Sequence, residues 1–281
     1  MQLRPLNREK DGSSFALGVF RDLIGPMTVP LATLDNQKRG WLLVGHGTRE
    51  EIGLAEARQV AKLVARAEGS PLVELAFLEF AEPTIPEGFR RLVERGARRV
   101  SVMPLMLFAA GHAKVDIPRE ILQAAEKYPD VAVDESEHLG CHPAIVALSA
   151  QRYAQALAGR TGVPSARTAL VLVGRGSHDA SATREMESFA ALRAQEHSAP
   201  TVSVGFVAMA QPALADVLDQ AAQSSADRII VQPHLLFAGI LLDRIREQVT
   251  NMAKRWPQKE WIVTQQLGVD ALIVDAITDR A

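Results

Sequence analysis

From Trp41 onward, short apolar runs alternate with longer amphipathic stretches. The apolar runs are Trp41–Gly45, Leu72–Phe80, Val100–Leu107 and Val131–Val133. Between them lie Glu51–Ala67, Pro83–Gly96 and Val115–Tyr128, the last with apolar residues at 117, 121, 122, 125 and 128. Near-continuous apolar runs predict strands buried on both faces, and the spaced pattern predicts helices with one apolar side. Strands alternating with helices predict βαβ units and a mainly parallel sheet. Residues 1–40 mix Gly, Pro, Ser and charge without periodicity and read as an N-terminal extension outside the core.

The same pattern then runs a second time. WLLVGHGTRE at 41–50 aligns with LVLVGRGSHD at 170–179, FLEFAEPTIP at 77–86 with FVAMAQPALA at 206–215, and VSVMPLMLFA at 100–109 with IIVQPHLLFA at 229–238. All three blocks keep one offset, 170 − 41 = 206 − 77 = 229 − 100 = 129, which points to duplication of a whole domain. Gly, Thr, Pro and Ser cluster at 158–166, where a linker is expected. The organisation read from this is an extension over 1–40, one α/β domain over 41–160 and its duplicate over 168–281.

The chain has 281 residues, enough for two domains that each bury a core. With 31 basic and 33 acidic residues the formal charge is −2, which gives no electrostatic footprint for nucleic acid. Cys141 is the single cysteine, so an intramolecular disulfide, a CxxC motif and a four-cysteine zinc site are all excluded. This usage points to a reducing compartment, the cytoplasm. Charges at Arg4, Arg8, Glu9, Lys10, Asp11, Arg21 and Asp22 break up any signal-peptide core, and no run reaches the length of a membrane span.

Each paired position separates what the scaffold requires from what one half alone keeps. The glycines flanking position 46 and the prolines at 83 and 104 recur, so they read as backbone features, tight turns and helix starts. The polar residues differ: His46 pairs with Arg175, Glu79 with Ala208, Glu82 with Gln211 and His112 with Leu241. In a βα unit His46 follows the first strand, Glu79 ends the second and His112 lies beyond the third. All three then reach the carboxyl edge of one sheet, where open α/β sheets bind ligands. Two imidazoles and a carboxylate without a thiolate suit Fe, Co, Ni or Zn. Each residue also has a plainer reading. A lone histidine after a strand is more often a hydrogen-bonded loop residue than a ligand, and Glu79 reads alternatively as a solvated strand-end carboxylate. Glu82, just before Pro83, could instead serve the start of the next helix. Glu79 is preferred over Glu82 as the ligand. His138 and His142 are expected at a helix entry or on the surface, and His178, His197 and His234 have no assigned partner. Arg90, Arg91, Arg95, Arg98 and Arg99 read as a solvated face.

GHGT at 45–48, FLEFAEPTI at 77–85 and VMPLMLFAAGHAKVDIP at 102–118 resemble the class II chelatases of the sirohydrochlorin type, the cobaltochelatase and ferrochelatase family of cobalamin and siroheme synthesis. The likeness is to the long, internally duplicated form and covers about residues 41–275. It implies two tandem Rossmann-like, chelatase-like domains, each with a mainly parallel four-stranded sheet flanked by helices. It further implies a lyase that inserts Co²⁺ or Fe²⁺ into sirohydrochlorin, a macrocycle with eight carboxylates. By resemblance His46, Glu79 and His112 bind the metal and take part in catalysis, and the second half, lacking all three, walls the cleft. Arg49, Lys114 and Arg175 are candidate partners for the substrate carboxylates. No cofactor is expected beyond the substrate metal, Co²⁺, Fe²⁺ or Ni²⁺. No nucleic acid or membrane partner is expected, and the protein is read as a monomer or homodimer. Two other classes compete. GHGT is similar to the RHG box of histidine phosphatases, but Gly45 stands where that chemistry needs an arginine. A non-catalytic metal or tetrapyrrole carrier would show the same ligands.

Overall fold

The structure is a computed structural model that describes residues 38–67, 72–108, 111–196 and 201–281, with His112, Ala113 and Glu196 described by their backbone alone. Residues 1–37 of the expected extension lie outside the described residues, and its last residues belong to the first strand, β1, Arg39–Gly45. There follow α1 (Glu51–Arg66), β2 (Leu72–Phe77), α2 (Ile85–Glu94), β3 (Arg99–Pro104), α3 (His112–Ala125), β4 (Ala132–Glu135) and α4 (Pro143–Leu157). A 3₁₀ turn at Ser165–Arg167 leads into β5 (Thr168–Gly174), α5 (Ala180–Glu196), β6 (Thr201–Phe206) and α6 (Leu214–Gln223). The chain ends with β7 (Arg228–Pro233), α7 (Ile240–Arg255), β8 (Glu260–Val263) and α8 (Ala271–Asp279).

The strands form two four-stranded sheets, β2-β1-β3-β4 and β6-β5-β7-β8, and every pairing is parallel. β1, β2 and β3 recur as β5, β6 and β7 at the same length, 168 − 39 = 201 − 72 = 228 − 99 = 129 residues later. Register recurs with them: Val44 pairs with Pro104 as Val173 pairs with Pro233. The duplication seen in the sequence is therefore a duplication of the fold.

Two boundaries differ from the apolar pattern, and both bear on the site. β2 stops at Phe77 because its amide hydrogen-bonds to the Pro83 carbonyl (2.9 Å), so residues 78–84 form a loop folded back on the strand end. Glu79 consequently lies in this loop and not in a strand. Helix α2 starts at Ile85 with Pro86 in its first turn, so Pro83 is a loop residue with a cis peptide and not the helix start. Pro104 closes β3.

Alternation along the strands decides which core each residue enters. Leu42 and Val44 face α2 and α3, packing with Ile85, Phe89, Ile117 and Ile121. In the second half Val171 and Val173 meet Leu218, Ile245 and Val249 of α6 and α7. The opposite faces, from Leu43 and Met103 to Leu170 and Ile230, share one cluster with side chains of α1, α4, α5 and α8. The last helix of each half crosses over: α4 packs on α5 and α8, and α8 packs on α1. Polar contacts lock this exchange. Arg152 on α4 donates to the Leu267 carbonyl (2.6 Å) and pairs with Asp270 (3.0 Å), and the buried Arg193 on α5 donates to Ser149 on α4 (2.9 Å). Among the described residues no helix is long and apolar enough to cross a membrane.

Candidate metal site at the sheet edge

The loop after β2 is fastened to the end of β1 by two backbone bonds. Leu78 N donates to Gly45 O (3.0 Å) and Glu79 N to His46 O (3.0 Å). These bonds bring the two side chains together, and His46 Nε2 stands 3.3 Å from Glu79 Oε1. Both are partly open to solvent, at 37% and 44% side-chain exposure.

The second half builds the same loop. Val207 N donates to Gly174 O (3.1 Å) and Ala208 N to Arg175 O (2.9 Å), but the side chains at the two positions are Arg175 and Ala208. Gly47 and Gly176 hold φ of +92° and +90°, and a Cβ there would come within 1.7 Å of Glu79 O or 1.8 Å of Ala208 O. Both glycines are backbone requirements of the scaffold, as their recurrence in the sequence suggests. Glu82 is in the same class. Its Oε2 accepts from Thr84 N (3.1 Å), and the paired Gln211 Oε1 accepts from Ala213 N (2.9 Å). An oxygen tied to the helix-entry turn in both halves is doing structural work, which leaves Glu79 as the carboxylate beside His46.

His112 is the first residue of α3, which follows β3, so its backbone lies on the same edge as His46 and Glu79. Its side chain lies outside the described residues. Among the described residues no group of three His, Cys, Asp or Glu side chains gathers at metal-binding spacing. Asp179 flanks His112 on both sides: it accepts from Lys114 Nζ (2.8 Å) and from Gly111 N (3.5 Å), and Lys114 also reaches Ser181 Oγ (2.6 Å). Hydrogen bonds from Lys114 and Ser181 hold the Asp179 carboxyl far below the usual carboxylate range. Of the three substrate candidates, then, Lys114 is spent on the second half, Arg49 lies over the Phe80 ring (5.1 Å to the centroid), and Arg175 is exposed. Glu135 ends β4 on this edge, and burial pushes its carboxyl up to about 7.

Asp179 and Phe80 escaped the sequence reading. Asp179 stands opposite Glu50 in the alignment of the halves, another acid, so no difference marked it. Phe80 stands opposite Met209, an ordinary apolar exchange. The other histidines have separate roles. His142 caps α4, accepting from Ala144 N (3.2 Å), as a helix-entry residue would, and His138 bonds Glu185 of the second half (2.6 Å). His234 is buried between the rings of Phe189 (4.0 Å) and Phe108 (5.2 Å), and burial lowers its pKa to about 3. His178 is exposed, and His197 lies outside the described residues. Burial foremost raises the Cys141 thiol to about 11, which keeps it protonated. Within the arginine-rich stretch Arg90, Arg91, Arg95 and Arg99 pair with Glu94, Glu87, Glu74 and Asp134.

Comparison with known proteins gives this edge its context. A sirohydrochlorin ferrochelatase of Priestia megaterium is 35% identical over 228 residues, 81% of this chain and 83% of that protein. A sirohydrochlorin cobaltochelatase of the same organism is 28% identical, covering 85% of this chain and 78% of its own length. Among solved structures, SirB from Bacillus subtilis with Fe³⁺ superposes with a TM-score of 0.78 at 30% identity, covering 86% of this chain and 94% of that one. The family model described as CbiX matches twice, over residues 40–156 and again over 169–281. The chain thus belongs to the CbiX family of chelatases, in the form that carries the domain twice.

Proposed function

We propose that this protein inserts a divalent metal ion, Fe²⁺ or Co²⁺, into sirohydrochlorin, in siroheme or cobalamin biosynthesis. One observation carries the assignment to this edge: His46 and Glu79 meet at 3.3 Å on a loop whose counterpart in the second half, fastened by the same two backbone bonds, holds Arg175 and Ala208. The second half builds the same backbone without the pair, which supports a ligand-binding role for it. Metal and tetrapyrrole are both substrates, and no further cofactor enters the scheme.

Insertion exchanges two pyrrole N–H protons for the ion. An imidazole nitrogen and a carboxylate oxygen can hold a borderline divalent ion while leaving coordination positions open for pyrrole nitrogens. As the ion passes to the macrocycle, the imidazole nitrogens and carboxylate it leaves are free to accept the two departing pyrrole protons. Neutral imidazole also retains an ion less firmly than thiolates would, which suits delivery. His46, Glu79 and His112 take these roles. Asp179 of the second half is a positioning residue, holding Gly111 and Lys114 on either side of His112. The second half in this scheme walls the cleft and adds no second site.

The test is turnover with sirohydrochlorin in excess over enzyme, followed by the absorbance of the metallated product with Fe²⁺ and Co²⁺ in separate reactions. Many turnovers per chain identify a catalyst, and product that stops at one equivalent identifies a carrier. His46→Ala and His112→Ala should each abolish insertion and keep the folded circular dichroism spectrum. Near-normal turnover in either variant removes that residue from the scheme.

A further inference from the structure

Phe80 follows Glu79 directly and sits at φ 63°, in the left-handed region that a bulky residue seldom occupies. Its side chain is large and apolar, yet the residue is 54% exposed. Folding gains little from either property, and glycine or asparagine would sit there with less strain. The surroundings of the ring are chemical. Its centroid is 6.5 Å from the His46 ring at an interplanar angle of 24°, and the Arg49 guanidinium carbon lies 5.1 Å from the centroid. Phe80 therefore stands between one candidate metal ligand and the Arg49 guanidinium.

A second, independent pattern points to the same ligand. Besides Phe80, the large apolar side chains exposed among the described residues are Ile52, Val115, Leu192, Met209 and Ile240. All but Leu192 lie on loops or first helical turns that follow strands, at the carboxyl edge of one sheet or the other. The two edges converge, since Glu56 on α1 accepts from Ala238 N (2.7 Å) and Lys114 pairs with Asp179. Met209 even repeats the left-handed backbone, at φ 53°. The two edges thus carry exposed apolar projections from both halves, with cations at Arg49 and Arg175. A flat ligand with an apolar face and an anionic rim matches this pattern.

Resting on the chelatase reading above, we propose that Phe80 is a substrate-contacting residue: its ring meets the face of the tetrapyrrole next to His46, and Arg49, seated on that ring, pairs with a substrate carboxylate. Guanidinium and phenyl then act together. The ring keeps Arg49 in place before the substrate arrives, and the carboxylate recruits it afterwards.

The test uses the full chain with Phe80→Ala, Phe80→Gly, Phe80→Trp and Arg49→Ala. The readouts are KM and kcat for insertion, sirohydrochlorin affinity by absorbance titration, and Co²⁺ affinity by calorimetry. Phe80→Ala and Phe80→Gly should raise KM and weaken sirohydrochlorin binding about tenfold, as loss of a well-placed aromatic contact does. Co²⁺ affinity should not change, and Phe80→Trp, which keeps a flat aromatic ring, should retain more sirohydrochlorin affinity than Phe80→Ala. Glycine suits the left-handed backbone, so Phe80→Gly should melt no lower than wild type, which separates loss of the ring from loss of the fold. Arg49→Ala should weaken sirohydrochlorin binding, and methyl esterification of the substrate should cost this variant less affinity than it costs wild type, because the carboxylate's partner is already gone. Wild-type KM in Phe80→Gly overturns the inference while leaving the chelatase reading intact. If the wild-type protein binds no sirohydrochlorin, both fall together.

Discussion

Gly47→Ala and Gly176→Ala place one perturbation in two settings. Both glycines have φ near +90°, and an added Cβ would approach a carbonyl oxygen to 1.7 Å in one case and 1.8 Å in the other. Carbon and oxygen in ordinary contact lie about 3.3 Å apart, so the two strands of each loop must separate by roughly 1.5 Å. Left-handed backbone costs an L-residue about 1–2 kcal/mol, and overpacking costs about 1–3 kcal/mol more. The total, about 2–5 kcal/mol, sits below the stability of an ordinary domain, so both variants should fold and be destabilised to a similar degree. Their chemistry should differ. Gly47→Ala pushes on Glu79, whose carboxylate stands 3.3 Å from His46, whereas Gly176→Ala pushes on Ala208, which bears no ligand. Misplacing a catalytic group by an ångström costs about 100-fold, so insertion by Gly47→Ala should fall that far. Gly176→Ala should stay within a few-fold of wild type. Urea denaturation reports the shared cost, and absorbance of the metallated product reports the difference. Equal loss of activity in two folded variants would refute the reasoning, as would wild-type kcat/KM in Gly47→Ala.

Glu79→Gln should weaken Co²⁺ binding in calorimetry more than it weakens sirohydrochlorin binding, and Glu82→Gln should leave both near wild type because an amide oxygen at the paired Gln211 already serves that turn; the reverse ranking would transfer the ligand role to Glu82. Asp179→Ala should lower kcat while Co²⁺ and sirohydrochlorin affinities change less, with recovery in Asp179→Glu, and a variant with unchanged kcat would end its positioning role. Deleting residues 168–281 strips partners such as Phe189 and Ile273 from the cluster shared with Leu54 and Tyr153, at about 1.5–3 kcal/mol per large side chain. The fragment ending near Ala166 should aggregate or dimerise and lose activity as a monomer; a monomeric, fully active fragment would show that the second half is dispensable. His234 stays neutral in the fold down to about pH 3, whereas the unfolded chain takes up its proton near 6.5. Stability from this group is thus complete above 6.5 and drains as pH falls towards 3, by about 1.4 kcal/mol per pH unit. Replacing it by leucine, the residue at the paired position 105, should flatten the acid limb by that slope in urea titrations between pH 7 and 5, and identical slopes would contradict it.

The site is only partly a local matter, and so was its legibility. His46 stood out because its duplicate position holds Arg175, a contrast available inside one chain. Choosing Glu79 over Glu82 from sequence was a preference between two carboxylates three residues apart. The loop decides between their settings: the Glu79 amide is pinned to the His46 carbonyl, while Glu82 turns back to the amide of Thr84. Phe80 and Asp179 gave no signal, because exposure at positive φ and an ion pair across 65 residues are properties of the folded chain. Lys114 looked like a free cation for the same reason: its partner lies in the other half.

Apolar periodicity and the fixed offset of 129 residues determined the parallel sheets and their duplication, because burial on both faces of a strand writes itself directly into composition. Which faces of the two sheets would share a core was not written there. Leu43 and Leu170 belong to one cluster only because α4 and α8 cross between the halves and close a common layer. The sequence specifies which side chains seek burial; the tertiary structure decides which of them meet, and that meeting sets the loop after β7 against α1 and the start of α3 against Asp179.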